Sequence, residues 1–331
     1  ARRSCLVGSE MCIRDRANTA DLSKSPDNIG WKVNAEVVSG VSSNLIETSW
    51  ETTSSRIVKI NDKVVKQNDL AKVFRVVWLL PSMDRLWLEG ADGRRKFLDR
   101  LTLSFFPKHA DCVLNYEKAM RERNRLLKEK MTDGVWYKAL ERQMAQNGLL
   151  IQSNRIATLK KISSAQENST TTFPIAELSL SKANGDLTTD EDEFVKALSE
   201  NRQLDVMAGR TLIGPHRSDM EATYKEKGIS AKDSSTGEQK AMLISIVLAN
   251  ARALKLELGY PPVILLDEIS AHLDIDRRGA LYQEINALGA QAWMTGTDKN
   301  LFSEFGCKAK YFHVIESSGI SDIKEVDFSV D

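Results

Sequence analysis

The first quarter of the chain alternates apolar and polar residues with the period of two that is typical of half-buried β-strands. The strands predicted from this pattern cover residues 31–37, 44–50, 55–60 and 75–80. Asn61 and Asp62 form a predicted tight turn, so the first three strands are expected to belong to an antiparallel sheet. The fourth strand is a continuous apolar run that ends at Pro81, as a buried strand would.

The middle of the chain has the 3.6-residue period of amphipathic helices. Apolar residues recur on one face of a predicted helix over residues 109–130, at Val113, Tyr116, Met120 and Leu127. A turn at 132–134 separates this helix from a second one that is predicted to continue to about residue 162. The two helices are expected to form an antiparallel arm. Residues 163–173 predict a polar turn, and residues 188–198 predict an acidic helix.

From Gly209 onward, predicted strands and helices alternate along the chain. This order is typical of an α/β lobe with a largely parallel sheet. The predicted fold class is therefore α/β, with an antiparallel β region near the start and a helical lobe inserted into the α/β lobe.

The amino-acid composition is typical of globular proteins and does not indicate a binding partner. The chain has 331 residues, of which 42% are hydrophobic and 28% are charged, and Lys+Arg and Asp+Glu are equal at 46 each. No apolar run approaches the length of a membrane span. The four cysteines form no metal-ligand pattern, so we expect free thiols in a reducing cytoplasm.

The stretch VILLDEISAHLD places two adjacent acids at the end of a buried strand. Asp267 and Glu268 fall at its carboxyl end, where parallel α/β sheets bind ligands. One carboxylate there can hold Mg²⁺ against nucleotide phosphates, and its neighbour can orient an attacking water. A solvated acidic turn is the alternative, and this stretch alone does not separate the two.

A second stretch, SSTGEQKAMLISIVLANARAL, begins a long apolar helix after residue 235. Its residues Ser235, Thr236, Gly237 and Glu238 match the capping box S-x-x-E. A helix N-terminus with a small hydroxyl residue and a glycine can also bind an anion. An ordinary capped helix remains the alternative for this stretch taken by itself.

Together these stretches resemble an ordered series of motifs. STGEQK, a long helix, ILLDE, SAHLD and MTGTD resemble the signature, Walker B, D-loop and switch of ABC-type ATPase heads. STGEQK preceded by LIGPHRSD is similar to the RecF family of DNA-repair ATPases, as are LLPSMDRLWLEGADGRRKFLDRL and NYEKAMRERNRLL. The resemblance extends from about residue 17 to the end of the chain, so the sequence is identified as a member of that family.

The resemblance implies the bound groups and the site residues. ATP and Mg²⁺ would be the cofactors, with Asp267 as the magnesium carboxylate, Glu268 as the catalytic base and Thr297 in the switch position. The implied nucleotide-contacting or interface residues are Ser235, Thr236, Gly237, Glu238, Lys240, Ser270 and Asp274. Ser235 and Gly237 would face the γ-phosphate of ATP held by a second subunit, so ATP-dependent homodimerisation is implied as well.

One family motif is absent from the sequence. The P-loop G-x-x-x-x-G-K-[ST] cradles phosphates, yet no Gly-Lys pair occurs in the chain. The first sixteen residues, ARRSCLVGSEMCIRDR, resemble a translated sequencing-adaptor artefact, so we expect truncation there. The chain as written is then expected to bind ATP poorly, whereas the complete protein would hydrolyse ATP.

These interpretations divide the chain into four segments. They are a non-native segment 1–16, the first part of an ABC-type ATPase lobe at 17–90, a helical lobe at 91–205, and the rest of the ATPase lobe at 206–331.

Charge in the helical lobe is the feature relevant to DNA. Residues 101–161 contain twelve basic and six acidic residues. A solvated helix surface explains this excess as simply as a DNA contact does. The resemblance favours DNA, implying an ATP-bound dimer that clamps double-stranded or gapped DNA and helps RecA load together with RecO and RecR. The candidate contacts are Arg94, Arg95, Arg121, Arg123 and Arg125, although Arg94 and Arg95 could equally brace a lobe interface.

Three other functions are alternatives to the one that the resemblance implies. A chromosome-scaffold protein of the SMC type would need a much longer coiled coil than residues 109–162 allow. The STGEQK form argues against a transporter ATPase. A RecF-like paralogue that binds DNA or a partner without turning over ATP would account for the missing P-loop.

Overall fold

The computed structural model of the protein describes residues 19–23, 29–39, 42–52, 55–131, 134–181, 189–269, 273–317 and 320–327. Ser270 and the suspected non-native segment 1–16 lie outside the described residues.

The helices and strands follow one another along the chain in three groups. The first group is β1 (Trp31–Ser39), β2 (Ser42–Trp50), β3 (Ile57–Ile60), β4 (Lys63–Val65), α1 (Leu70–Val73) and β5 (Val76–Leu79). The second is α2 (Ala91–Phe105), α3 (His109–Lys128), α4 (Gly134–Glu167), β6 (Ala176–Ser181), α5 (Glu191–Glu200), α6 (Arg202–Ala208), β7 (Asp219–Tyr224), β8 (Ile229–Ser230) and α7 (Thr236–Leu258). The third is β9 (Val263–Asp267), α8 (Ile275–Leu288), β10 (Ala292–Thr295), β11 (Tyr311–Ser317) and β12 (Ile320–Val326).

The chain divides into two compact units. Unit 1 comprises Ala1–Ser82 and Tyr260–Asp331, and unit 2 comprises Met83–Gly259. This division differs from the boundaries expected from sequence, because residues 206–259 group with the helical lobe. Helix α7 is bound there by side chains of α4: Lys161 pairs with Glu257, and Ser245 donates to Gln166.

Unit 1 contains the antiparallel sheet and the parallel sheet that were predicted. Strands β1 to β4 pair in sequence order, and Asn61 and Asp62 both have positive φ, the backbone shape of a tight hairpin turn. In the parallel sheet β9 lies between β5 and β10. Ile264 and Leu266 of β9 are buried, as expected for a central strand of such a sheet. Strands β11 and β12 form a separate antiparallel pair.

Unit 2 contains the helical arm. The end of α3 packs against the start of α4 through Leu127 and Tyr137, while Tyr116 lies beside Gly148 further along α4. The two helices therefore run antiparallel, as predicted. Helix α4 is longer than expected and continues to Glu167 through part of the predicted polar turn, because Ala165 and Gln166 are buried.

The sheet of unit 2 corrects one expectation. Strand β7 was expected to join the parallel sheet, but it pairs antiparallel with β6 and β8. The connection from β7 to β8 is only four residues long, with Gly228 at φ 63°, and such a short turn can join only antiparallel strands. Helix α7 is buried on nearly every side from Gln239 to Leu254 and forms the centre of unit 2.

Unit 2 also buries a cationic centre. The Arg123 side chain has no solvent exposure and donates to Glu141 Oε1 at 3.0 Å and Asp205 Oδ2 at 2.7 Å. It further donates to the Leu198 carbonyl and the Thr211 hydroxyl. The arginine thus connects α3 to α4, to the end of α5, to α6 and to the following loop.

A chain of hydrogen bonds joins the loop before β7 to Tyr116 of the helical arm. His216 Nε2 lies 3.0 Å from the Thr211 carbonyl, so this nitrogen must donate, and Nδ1 accepts from the Tyr116 hydroxyl at 2.8 Å. Burial lowers the pKa of His216 to about 4, which keeps the ring neutral at physiological pH. Gly214 has φ 128°, and a Cβ there would overlap the Tyr116 hydroxyl.

A second cluster anchors α2 to α4. Asp99 accepts two hydrogen bonds from Arg155 and one from His109, and Arg155 also donates to the Pro215 carbonyl. Burial alone would raise the pKa of Asp99, but the hydrogen bonds from His109 and Arg155 outweigh it and hold the pKa below its ordinary value.

Two neighbouring arginines of α3 should behave very differently when they are replaced. Arg123→Met should lower the free energy of unfolding by about 3–5 kcal/mol, because it leaves Glu141 and Asp205 buried without their cation. Arg125→Met, two residues away on the exposed face, should change it by less than about 1 kcal/mol. Urea denaturation followed by circular dichroism measures both, and equal effects would contradict this description of unit 2.

Candidate functional site

The carboxyl end of β9 places a buried carboxylate against a hydroxyl group. Parallel pairing sets Asp267 opposite Thr295 of β10. Thr295 Oγ1 donates to Asp267 Oδ1 at 2.5 Å and accepts from the backbone N–H of Glu268 at 3.1 Å. The predicted magnesium carboxylate therefore lies at the ligand-binding edge of the parallel sheet, in a fixed orientation.

The backbone reverses direction directly after this carboxylate. Glu268 has φ 54°, a left-handed conformation that destabilises a residue with a side chain by roughly 1–2 kcal/mol. Such conformations cluster at functional sites, where the surrounding structure holds them in place. Glu268 is half-buried at this edge of the sheet.

The predicted switch residue lies at the same edge. Thr297 is exposed and follows the end of β10 by two residues, so its Cα lies within about 7 Å of that of Thr295. Asp267, Glu268 and Thr297 thus lie at the same edge of the parallel sheet. Asp274, predicted in the D-loop, is the exposed N-cap of α8 and accepts from the Arg277 N–H at 2.8 Å.

In unit 2 the predicted signature forms an exposed helix start. Ser235 is the N-cap of α7, and its side chain accepts from the Glu238 N–H. Glu238 Oε2 in turn accepts from the N–H and the hydroxyl of Ser235, both at 2.8 Å, so the capping box is confirmed. Ser235, Thr236 and Gly237 are all exposed.

A lysine outside the motif supports this helix start. Lys227, from the turn after β7, forms an ion pair with Glu238 Oε1. The hydrogen bond from Lys227, followed by those from the Ser235 hydroxyl and N–H, lowers the pKa of Glu238 to about 2. Glu238 is therefore ionised and neutralised by Lys227 at any physiological pH.

The next turn of α7 is attached to the segment after β5. Lys240 is almost fully buried, and its Nζ lies 3.0 Å from Asp84 Oδ2. Beside it, Trp87 Nε1 points at the Gln239 carbonyl at 3.4 Å. Lys240 thus joins the second turn of α7 to the segment after β5.

Two arginines proposed to contact DNA make structural contacts in α2. Arg94 binds Asp219 through two parallel hydrogen bonds of 2.9 and 2.7 Å and also donates to the Glu89 carbonyl. Arg95 donates to the Ser218 carbonyl, and burial lowers its pKa. The Arg94 guanidinium is committed to Asp219, so it joins α2 to β7 within unit 2 and does not brace an interface between the two units.

The three arginines of α3 that were predicted to contact DNA lie on different faces of the helix. Arg121 and Arg125 are exposed and pair with Glu117, Glu122 and Glu129 on their own helix. The expectation for Arg123 is wrong, because that residue is fully buried and its guanidinium is bound to protein groups.

Sequence reasoning missed three residues of these sites. Thr295 could have been found by aligning the ends of two parallel strands, because MTGTD begins within the last two residues of the strand that β9 pairs with. Lys227 and Asp84 gave no local signal, since each meets its partner on α7 across a long sequence separation or a turn.

The donor atoms at the end of β9 fit a magnesium ion that arrives with a nucleotide. Asp267, Glu268 and Thr295 offer only oxygen atoms, which Mg²⁺ prefers. Within the described residues no group of three or more His, Cys, Asp or Glu side chains could hold a metal ion by itself. Mg²⁺ commonly takes one or two protein carboxylates and completes its shell with water and phosphate oxygens.

Among the helices that the structure describes, none is both long enough and apolar enough to cross a bilayer.

Comparisons with known proteins give one consistent family. No protein-family model matches the chain. It is 44% identical over 279 residues to the DNA replication and repair protein RecF of Rhizobium leguminosarum bv. trifolii, covering 82% of this chain and 74% of the relative. The same-named protein of Rhizobium meliloti is 42% identical over 310 residues, covering 90% and 83%.

Solved structures agree on the fold. The structure titled as the recombination mediator protein RecF-ATPrS in the RecFOR pathway matches with a TM-score of 0.76 and 22% identity, covering 93% of this chain and 83% of that one. This likeness confirms the α/β fold class expected from the sequence. Together with identities above 40% over most of the chain, it confirms the resemblance: the chain belongs to the RecF family of DNA replication and repair proteins.

Proposed function

We propose that this protein contributes to an ATP-dependent, DNA-clamping ATPase of recombinational repair and replication-gap processing. The observation that supports the proposal most directly is the pair of acids at the end of β9, with Asp267 fixed by Thr295 and Glu268 held in a left-handed turn. Family members are named for DNA replication and repair, and one solved relative is described as RecF-ATP in the RecFOR pathway.

The proposed roles follow from where these groups lie. Asp267 would hold Mg²⁺, which would neutralise charge on the nucleotide phosphates. Glu268, next along the chain, would accept the proton of the attacking water. Thr297 would hydrogen-bond at the γ-phosphate position from the end of β10.

The exposed start of α7 supports the proposal of a dimer. A helix N-terminus attracts anions through its free N–H groups and its dipole. Ser235 and Gly237 are exposed there, so they could meet the γ-phosphate of ATP held by a second subunit. We propose that Asp274 lies at the interface formed in this way, and that ATP brings two copies together.

The proposed binding partners are DNA and the mediator proteins. The RecFOR pathway named for a solved relative motivates RecO and RecR as partners and RecA loading as the outcome. Double-stranded DNA near a gap would be contacted mainly through phosphates, by exposed basic residues such as Arg121 and Arg125.

A second function is favoured by one observation. The 331 residues contain no G-x-x-x-x-G-K-[ST] motif. A RecF-like protein that binds DNA or a partner without hydrolysing ATP would need no such motif.

Replacing Glu268, the proposed base, should slow ATP hydrolysis without weakening ATP binding. In the protein expressed from its own gene, Glu268→Gln should lower the rate of ATP hydrolysis by about 10²–10⁴-fold, because the proton acceptor is lost. ATP affinity should change little, since the amide keeps the shape of the side chain. A phosphate-release assay with and without gapped DNA, beside ATP calorimetry, measures both quantities.

Glu316→Gln on β11 is the matched control, since it removes an exposed carboxylate of unit 1 away from β9. Its hydrolysis rate should equal that of the unmodified protein. If the unmodified protein binds DNA but does not hydrolyse ATP, the non-hydrolysing alternative replaces the proposed ATPase.

The two exposed arginines of α3 should change the salt dependence of DNA binding. Arg121→Gln and Arg125→Gln should each reduce the slope of log K against log salt by about 0.9, as expected for one lost phosphate contact. Lys310→Gln, an equal charge change on the exposed β11–β12 pair, should leave the slope unchanged. Fluorescence anisotropy with a gapped duplex provides the slopes, and three identical slopes would rule out these two contacts.

A further inference from the structure

An open groove lies in unit 2 between α4 and β6. One face of the helix, including Ile156, Leu159 and Lys160, forms one wall, and residues 178–181 form the other. The groove encloses about 430 Å³. Strand β6 is an edge strand, since within the described part of the chain it pairs only with β7.

The register of the sheet shows which backbone groups face this groove. The Ile175 carbonyl accepts from the Lys225 N–H, so residues 175, 177, 179 and 181 exchange hydrogen bonds with the neighbouring strand. Alternate residues must then point their N–H and C=O groups away from that strand. Leu178 and Leu180 are those residues, and both line the groove.

A side chain already occupies the first position along this edge. Gln166 of α4 accepts from the Ala176 N–H at 2.8 Å and donates to the Ala176 carbonyl at 2.9 Å. The amide thereby makes both hydrogen bonds that a paired residue of an adjacent strand would make. The same edge continues at Leu178 and Leu180, where the helix wall is separated from the strand by the groove.

We propose that this groove binds an extended peptide segment of a partner protein, which adds to the sheet as a strand beside β6. Backbone groups of the peptide would pair with Leu178 and Leu180, in the mode by which peptides join exposed sheet edges. Alternate apolar side chains would contact Ile156 and Leu159 on the helix wall.

Charge and spacing specify the chemistry of the peptide. Lys160 is exposed and has no ion-pair partner among the described residues, whereas Glu167 at the groove end is paired with Lys225. An acidic residue of the peptide would therefore pair with Lys160. The groups of Leu178 and Leu180 repeat about every 7 Å, which matches the two-residue repeat of a strand. A nucleic-acid strand would need several cations, and among the described residues that line the groove Lys160 is the one cation.

The groove is also connected to the proposed signature helix. Gln166 Oε1, which closes the groove at Ala176, accepts from the Ser245 hydroxyl of α7 at 3.2 Å. A strand added beside β6 would therefore lie next to a side chain that contacts the helix beginning at Ser235.

The free edge can be tested before any partner is known. In the full chain, amide hydrogen exchange should be fast at Leu178 and Leu180 and slow at Glu177 and Ser179, whose N–H groups are bound to β7. Slow exchange at both leucines would overturn the proposal, because it would mean that the edge is already occupied.

The binding test uses a phage-displayed library of random ten-residue peptides as the probe. The result expected is enrichment of peptides with alternating apolar residues and an acid, and protection of the Leu178 and Leu180 amides by the bound peptide. Leu180→Pro removes one groove-facing N–H but no bond to β7, so it should weaken binding at least tenfold without unfolding the sheet. Leu180→Ala keeps the N–H and should weaken binding less than threefold.

Lys160→Glu tests the charge and should reverse the preference of the groove from acidic to basic peptides. Equal binding of the selected peptides to the Pro and Ala variants would overturn strand addition. So would a concentration-dependent dimer that Leu180→Pro abolishes, because the edge would then belong to a second copy of this chain.

Discussion

The parallel pairing of β9 with β10 is the constraint on which the proposed site depends. It sets the Asp267 carboxylate, which is nearly buried, opposite a threonine hydroxyl that donates to it. A buried carboxylate needs hydrogen bonds to offset its lost hydration. The same hydroxyl accepts the Glu268 N–H and so helps to hold the left-handed turn. One side chain therefore orients the Asp267 carboxylate and holds the backbone of Glu268, the second acid that the proposed chemistry requires.

Unit 2 depends on buried charge rather than on apolar packing alone. Arg123 connects α3, α4 and α6, and Arg155 connects α2, α4 and the loop before β7. Removing one member of such a network leaves an uncompensated buried charge and destabilises the arm. Within the same unit, the first turn of α7 is exposed and capped by Ser235, and Lys227 and Lys240 pair with acids on and near it.

Local signals in the sequence predicted local structure well. The S-x-x-E spacing identified the cap at Ser235, and an apolar run ending in two acids identified β9. The predictions that were wrong concerned residues whose bonding partners lie far away in the sequence. A count of charges could not tell buried Arg123 from exposed Arg125, because burial is set by Glu141 and Asp205. The sheet of β7 was assigned wrongly because its partner β6 had not been recognised as a strand.

The start of α7 is proposed to meet a nucleotide phosphate held by a second subunit, and a matched pair of variants tests this proposal most directly. Asn and Asp cap helices about as well as Ser, so Ser235→Asn and Ser235→Asp should have similar thermal stability. Only the Asp variant adds a negative charge where the γ-phosphate would lie. Sedimentation velocity of the protein expressed from its own gene, with ATP and Mg²⁺, should show dimers at least tenfold weaker for Ser235→Asp than for Ser235→Asn. Equal dimerisation of the two variants would contradict the account and leave the capping box as a purely structural feature.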